Sequence, residues 1–282
     1  MITTMTEHDT IIVVPCYNEA QRLDRDAYQS FVSRTSGVDF VFVNDGSTDD
    51  TAAVLSALIT CAPDRLSLIN CERNRGKAEA VRIGMSYALT RARRYAGFWD
   101  ADLATPLTEI PRFAATLDAR PACEICFGAR VKLLGRAIER RAYRHYGGRL
   151  FAAAASIVLQ LPVYDTQCGA KLFRVSPHTV ALFAEPFLGR WTFDVEIIAR
   201  LKQELASSEH REAADAIYEL PLDEWRDVRG SQVRSIDFVL GLVELARIRS
   251  RYFSARARRA AAISGSSQES CEAPVAPARR AP

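Results

Sequence analysis

Residues 96–106 read AGFWDADLATP, an apolar run that breaks into Asp100-Ala101-Asp102 just ahead of Pro106. Carboxylates at i and i+2 beyond a strand end can face one divalent cation, which in turn can hold a diphosphate. Hard oxygen ligands plus substrate phosphates are the usual way a protein binds Mg²⁺ or Mn²⁺. Acidic pairs also decorate ordinary strand-to-helix loops, so this pair takes its meaning from its neighbours. Three further polar clusters follow short apolar runs: Pro15-Cys16-Tyr17-Asn18-Glu19, Asn44-Asp45-Gly46-Ser47 and Arg73-Asn74-Arg75-Gly76-Lys77. No G-x-G-x-x-G is present, which argues against a dinucleotide site. A phosphate loop of the G-x-x-x-x-G-K-[ST] kind is also missing: Ala78 follows Gly76-Lys77, and Cys71 stands where the first glycine is needed.

The elements that must position these residues are legible in the first half. Residues 10–15 (TIIVVP) form a continuous β-branched run, as expected for a strand buried on both faces. Residues 38–43, 66–70, 97–99 and 124–128 are further strands. Between them, 19–36, 49–61, 76–94 and 106–119 carry helical spacing and start at Asp, Ser, Thr or Pro signals. Strands alternating with such helices predict βαβ units, an α/β fold and a mostly parallel sheet flanked by helices. On such sheets ligands bind beyond the carboxyl ends of the strands, which is where the four polar clusters fall.

At 282 residues, with 48% hydrophobic and 25% charged residues, the chain suits one large core plus an appended element. Residues 1–9 are polar with two acids and do not read as a signal peptide. The most apolar stretch, 151–163, is too short for a membrane span. Seven scattered cysteines, an odd number, suit a reducing cytosol; Cys123 and Cys126 lack a second pair for zinc and read as core. From residue 131 a basic segment with Lys132, Arg136, Arg140, Arg141, Arg144 and Arg149 leads into an apolar helix at 150–161. The arginines at 136–144 also suit a solvated helix face. The net charge is only +3, yet residues 247–263 hold six arginines and no acid. That places a long, amphipathic basic helix at 231–263, after a single main domain at 1–230. The Ser/Pro/Ala-rich residues 264–282 read as a disordered tail.

Taken in order, PCYNE, NDGSTDDT, NRGKAEAV, DADLATP and GAR resemble family 2 of the nucleotide-sugar-dependent glycosyltransferases, with their GT-A, Rossmann-like fold. DTQCGAKLF, RWTFDVEII and LDEW…GSQV narrow the resemblance to dolichyl-phosphate β-glucosyltransferases and bacterial polyprenyl-phosphate relatives, over residues 10–252. The resemblance implies that Pro15, Tyr17 and Glu19 hold the nucleoside, Asp45 contacts the base and Lys77 lies near the diphosphate. It implies that Asp100 and Asp102 hold the metal and its diphosphate, and that Arg130 serves a phosphate site. Asp165, Gln167, Asp194 and Glu196 would surround the sugar and the reaction centre. Mannosyl-transferring relatives often carry glutamine two residues after the D-x-D; Ala104 here leans toward glucose.

The implied reaction is an inverting transfer of glucose from UDP-glucose to a polyprenyl phosphate, giving a β-linked product. Negative charge builds on the leaving diphosphate, so a cation there stabilises the transition state more than the ground state. A phosphate monoester acceptor, with a second pKa of roughly 6, is already largely dianionic at neutral pH and need not be deprotonated. If a base acts, Asp194 or Asp165 is expected. Arginines such as Arg130, Arg136, Arg140 and Arg144 would offset repulsion between the two phosphate groups. Anionic headgroups attract basic helices, and apolar residues beside the arginines can enter the interface, so the protein is expected at the cytoplasmic membrane surface. Nucleic acid is not expected as a partner, because no stacking set or base-reading motif accompanies the arginines. Alternatives left open are GDP-mannose as donor, a soluble or polysaccharide acceptor, and a non-catalytic nucleotide-sugar-binding module. The alanine- and arginine-rich composition suggests a bacterial source with a GC-rich genome, and hence undecaprenyl or decaprenyl phosphate as the lipid.

Overall fold

The computed structural model describes residues 9–92, 94–139, 142–208, 211–228 and 235–254. The chain runs β1 (Thr10–Cys16), α1 (Arg25–Arg34), β2 (Val38–Asn44), α2 (Thr51–Ile59), β3 (Leu66–Asn70), α3 (Lys77–Leu89), β4 (Tyr95–Trp99), α4 (Ile110–Asp118) and β5 (Ile125–Ala129). It continues with β6 (Ala137–Glu139), α5 (Ala142–Leu159), β7 (Ala170–Arg174), α6 (Pro177–Leu182), α7 (Phe193–Ser208), α8 (Ala213–Ala216), β8 (Ile217–Pro221), β9 (Glu224–Arg226) and α9 (Ser235–Phe253).

Seven strands form one sheet in the order β3-β2-β1-β4-β7-β5-β8, and β6 pairs with β9 in a small separate ladder. All pairs in the large sheet are parallel except those of β7, which runs antiparallel between β4 and β5. The mostly parallel α/β expectation therefore holds, and β7 is the strand that breaks the pattern. Successive strand residues point to opposite faces. Accordingly Ile11 and Val13 join one core with α3, α5, α7 and α9, while Ile12 and Val14 join a second with α1, α2 and α4. Burial on both faces explains why β1 reads as an unbroken apolar run.

The sheet carries its own pointer to the site. From β1 the chain builds outward through β2 to β3, then returns to lay β4 on the other side of β1. That reversal puts a crevice above the carboxyl ends of β1 and β4, the usual ligand position on open α/β sheets.

The apolar helix starts at Ala142, eight residues before 150, because Gly147 and Gly148 interrupt the apolar pattern without ending the helix. The C-terminal helix is described over Ser235–Phe253, so Arg256, Arg258, Arg259 and residues 264–282 lie outside the described residues. Arg140, Arg141 and the side chain of Arg144 also lie outside them. Among the described residues no helix is long and apolar enough to cross a membrane. Cys123 and Cys126 are both free and buried.

Candidate active site

The carboxyl ends of the first three strands are laced together by side chains that accept backbone N–H groups. Asn18, held at φ +54, has its amide N–H on the Ser47 hydroxyl (3.0 Å), and its own side-chain oxygen accepts from the Thr48 amide (2.9 Å). The Glu19 N–H donates to Thr51 Oγ1 at 2.8 Å. Pro15 and Tyr17 flank this junction, half-buried at the end of β1. Glu19 is buried and ion-paired with Arg22, itself close enough to Asp102 for their charges to interact. Asp45, expected to contact the base, is 2% exposed and braces the next loop. Its two oxygens accept the amides of Arg75 (2.8 Å) and Gly76 (2.7 Å).

That loop delivers Lys77 to the D-x-D motif. The Lys77 ammonium lies 2.5 Å from Asp100 Oδ1, with both side chains partly open to solvent. Burial works against the Lys77 charge, but Asp100 and Asp194 outweigh it and hold the ammonium above its ordinary range. Asp100 is seated by the chain entering β7. Its amide donates to the Gly169 carbonyl (3.0 Å), and a Cβ on Gly169 would lie 1.9 Å from Asp100 Oδ2. Asp102 accepts the Ala104 amide at 3.1 Å. Burial, then the neighbouring Asp100 charge, push the Asp102 carboxyl above the usual carboxylate range. Two crowded, partly desolvated carboxylates beside a strand end fit a divalent cation. Among the described residues no third His, Cys, Asp or Glu joins them, so phosphate oxygens and water would complete such a site.

Behind this cluster lies a buried pair. Lys171, 1% exposed within β7, puts its ammonium 2.5 Å from Asp194 Oδ1 in the first turn of α7 and donates to the Cys168 carbonyl at 2.6 Å. Burial raises the Asp194 carboxyl above its ordinary range, opposed by Lys171 and Lys77.

Other expected residues are placed differently. Arg130, expected to grip a phosphate, is held instead by Asp165 through Nε (2.6 Å) and Nη2 (2.7 Å), with the Trp225 ring 5.3 Å away. The side chains are 12% and 7% exposed, so the pair is desolvated on both sides. Asp165, expected as a base, is thereby occupied, and its own amide is held by Glu219 at 2.8 Å. Burial pushes the Glu219 carboxyl upward. Arg136 binds the Pro221 carbonyl (2.7 Å) and pairs with Asp223, bridging the start of β6 to the β8–β9 turn. Glu196 is fully buried away from the cluster, on Arg200 (2.8 Å), the Tyr252 hydroxyl (2.9 Å) and the Leu188 amide (2.7 Å). Being two residues after Asp194, it points about 200° around α7 from it. Gln167, two residues before Gly169, has a buried amide nitrogen with no partner among the described residues.

Sequence reasoning missed Lys171 and Gly169, although both stand in the quoted run DTQCGAKLF. A lone lysine in an apolar strand was the available signal for the first. A shallow hollow lined by Asp39, Asp64, Arg65 and Ser67 lies at the opposite, amino ends of the strands and takes no part in this cluster.

Residues 11–180 match the profile of glycosyl transferase family 2, and the chain belongs to that family. The dolichyl-phosphate β-glucosyltransferase of Trichomonas vaginalis is 28% identical over 251 residues, covering 85% of this chain and 70% of that one. The enzyme of the same name from Drosophila melanogaster is 32% identical over 210 residues, covering 66% of this chain; the alignment spans 60% of that relative's length. Among solved structures, glucosyl-3-phosphoglycerate synthase from Mycobacterium tuberculosis, crystallised with Mn²⁺, UDP-glucose and phosphoglyceric acid, superposes with a TM-score of 0.59. It shares 20% identity over 86% of this chain and 80% of that one, a likeness of fold. The protein is thus a glycosyltransferase of GT-A architecture.

Proposed function

We propose that the protein transfers glucose from UDP-glucose to a polyprenyl phosphate with inversion, giving a β-linked polyprenyl-phosphoglucose. The observation that carries this is the convergence of Asp100, Asp102 and Lys77 on the crevice at the ends of β1 and β4. The names of the related dolichyl-phosphate β-glucosyltransferases support the acceptor class. The Mn²⁺ in the structural neighbour supports a divalent metal, Mg²⁺ or Mn²⁺.

Asp100 and Asp102 would hold the metal, which when bound neutralises charge on the departing diphosphate. Lys77 adds a fixed positive charge beside Asp100, preorganised by Asp45 and therefore effective without rearrangement as the bond breaks. Pro15, Tyr17 and Glu19 line the nucleoside side of the crevice, and Gln167 offers its unpartnered amide toward the sugar side. The acceptor is already dianionic near neutral pH, so no side chain has to remove a proton. Asp194 and Asp165 then act through their ion pairs with Lys171 and Arg130, which keep the crevice wall rigid, rather than as bases.

The acceptor's chemistry also calls for a membrane surface. Exposed Leu240 and Val243 share one side of α9 with exposed Arg247 and Arg251, at helical spacing. Exposed Leu150 and Ile157 add to this from α5, which packs against α9. The protein would thus sit peripherally on the cytoplasmic face, drawn by anionic headgroups.

Incubating the protein with Mn²⁺ or Mg²⁺, polyprenyl phosphate and labelled UDP-glucose or GDP-mannose in parallel tests this directly. Metal-dependent label from UDP-glucose in the organic phase, lost in Asp102→Ala, is expected. Label from GDP-mannose alone would overturn the donor. Donor hydrolysis without organic-phase label would transfer the assignment to a water-soluble acceptor.

A further inference from the structure

The segment between α6 and α7 carries an arginine to which the proposed chemistry has so far given no part. One carboxylate fixes its backbone. Glu244, on α9, accepts the amides of Arg190 (3.0 Å), Trp191 (3.2 Å) and Thr192 (3.0 Å) and the Thr192 hydroxyl (2.9 Å). The approach leaves no room for a side chain at Gly189, where a Cβ would meet Glu244 Oε2 at 2.4 Å. Glu244 is the one acid among residues 238–263, and among the described residues its hydrogen bonds all go to this turn rather than to the arginines of its own helix.

Held this way, the Arg190 side chain reaches across to the loop that carries Lys77. Its Nη2 lies 3.4 Å from Asn74 Oδ1, near the outer limit of a hydrogen bond. Nε and Nη2 would stand 2.8 and 2.9 Å from a Cβ on Gly76, which has φ +93 and lacks one. Arg190 is exposed, and among the described residues its guanidinium has no carboxylate partner. Gly76 also opens α3, whose first turn receives no side-chain cap. An unpaired guanidinium, the Lys77 ammonium and uncapped amides therefore meet at the edge of the D-x-D crevice. Such a set suits phosphate oxyanions, which a guanidinium grips through two parallel bonds.

We propose that Arg190 binds the donor's diphosphate beside Lys77, and that Glu244 is the positioning residue that sets it there. This rests on the donor-site reading given above and extends it, since it ties the C-terminal helix mechanically to the donor site. The phosphate bound could come from donor or acceptor; the position against Gly76 and Lys77 favours the donor.

The test is titration of the full-length chain with UDP in the presence of Mn²⁺, and with uridine, which has no phosphate. Wild type, Arg190→Ala, Arg190→Lys, Glu244→Gln and the Arg190→Ala/Glu244→Gln double variant are compared. Arg190→Ala should weaken UDP tenfold or more and leave uridine unchanged, and Arg190→Lys should recover part of the loss. Glu244→Gln should weaken UDP several-fold in wild type and add nothing on top of Arg190→Ala, the signature of action through that arginine. Unchanged UDP affinity in Arg190→Ala would overturn the proposal, including the case where only the KM for the lipid phosphate rises. An equal Glu244→Gln penalty in both backgrounds would overturn the positioning role. Failure of wild type itself to bind any nucleoside diphosphate would sink the donor-site reading instead, and is separately visible.

Discussion

Asp100 depends on a residue with no side chain. Gly169 leaves the space that the Asp100 carboxylate occupies, since a Cβ there would lie 1.9 Å from Oδ2. Gly169→Ala should push the carboxylate off its seat, and displacement by an ångström can cost about 10²-fold in rate. Steady-state transfer assays alongside circular dichroism would read this; wild-type turnover in a folded variant would remove Asp100 from the chemistry. Arg130 and Asp165 make the opposite kind of case. Removing one member of a buried ion pair strands the other, at a cost of about 3–5 kcal/mol. Asp165→Asn should therefore lower the unfolding free energy by about 3 kcal/mol in urea titration; a loss well below about 1 kcal/mol would mean the pair is solvated. The thiols sort by burial. Cys16 and Cys126 are buried and their thiols pushed upward by desolvation, whereas Cys61 is exposed. Among the described cysteines, Cys61 should react first with a thiol-exchange reagent, and Cys16 and Cys126 only after denaturant is added.

At the scale of elements, α3 is the part that sets the site. It packs on β1 and β2 through Gly84, where a Cβ would meet Val13 Cγ1 at 2.2 Å and Val43 Cγ2 at 2.9 Å. The first turn of the same helix holds Lys77. Gly84→Ala should destabilise the fold by about 1–3 kcal/mol, as overpacking does. It should also raise the donor KM, because lifting α3 off the sheet moves Lys77 relative to Asp100. A melting temperature equal to wild type would show that the helix absorbs the methyl group. Periodicity located β1 to β5 and α1 to α4 because each is a two-sided strand or a helix with one apolar stripe. Strand β7 escaped notice because Ala170–Arg174 is five residues long and contains a lysine. Only its antiparallel slot between β4 and β5 explains why that lysine is buried.

At the scale of the whole molecule, the exposed apolar residues of α5 and α9 lie in the half of the chain that follows β1 to β4. A basic residue near an anionic surface contributes about 1 kcal/mol. Replacing Arg247, Arg249 and Arg251 together by glutamine should therefore weaken partition onto anionic vesicles by roughly two orders of magnitude. Co-sedimentation would show it, along with a steep loss on adding salt to the wild type. Equal recovery of variant and wild type would sink the membrane-surface assignment of this helix.

The chemistry-bearing residues at strand ends could be read from the sequence, because a buried parallel strand is a continuous apolar run and whatever polar residue ends it must face the ligand crevice. PCYNE, NDGS, NRGK and DAD are local strings, and each kept its place at an end of β1 to β4 or in the loop that follows. Which charges stay available there is not a local property. Whether Arg130 meets a ligand or Asp165, and whether Lys171 faces water or Asp194, depends on residues 23 to 35 positions away that the sheet order brings together. Arg190 and Glu244 stand 54 positions apart, and only the packing of α9 against α7 reveals that one holds the other. Sequence placed the candidate ligands by type and spacing; tertiary structure divided the charged groups between those paired within the wall and those left open at the crevice.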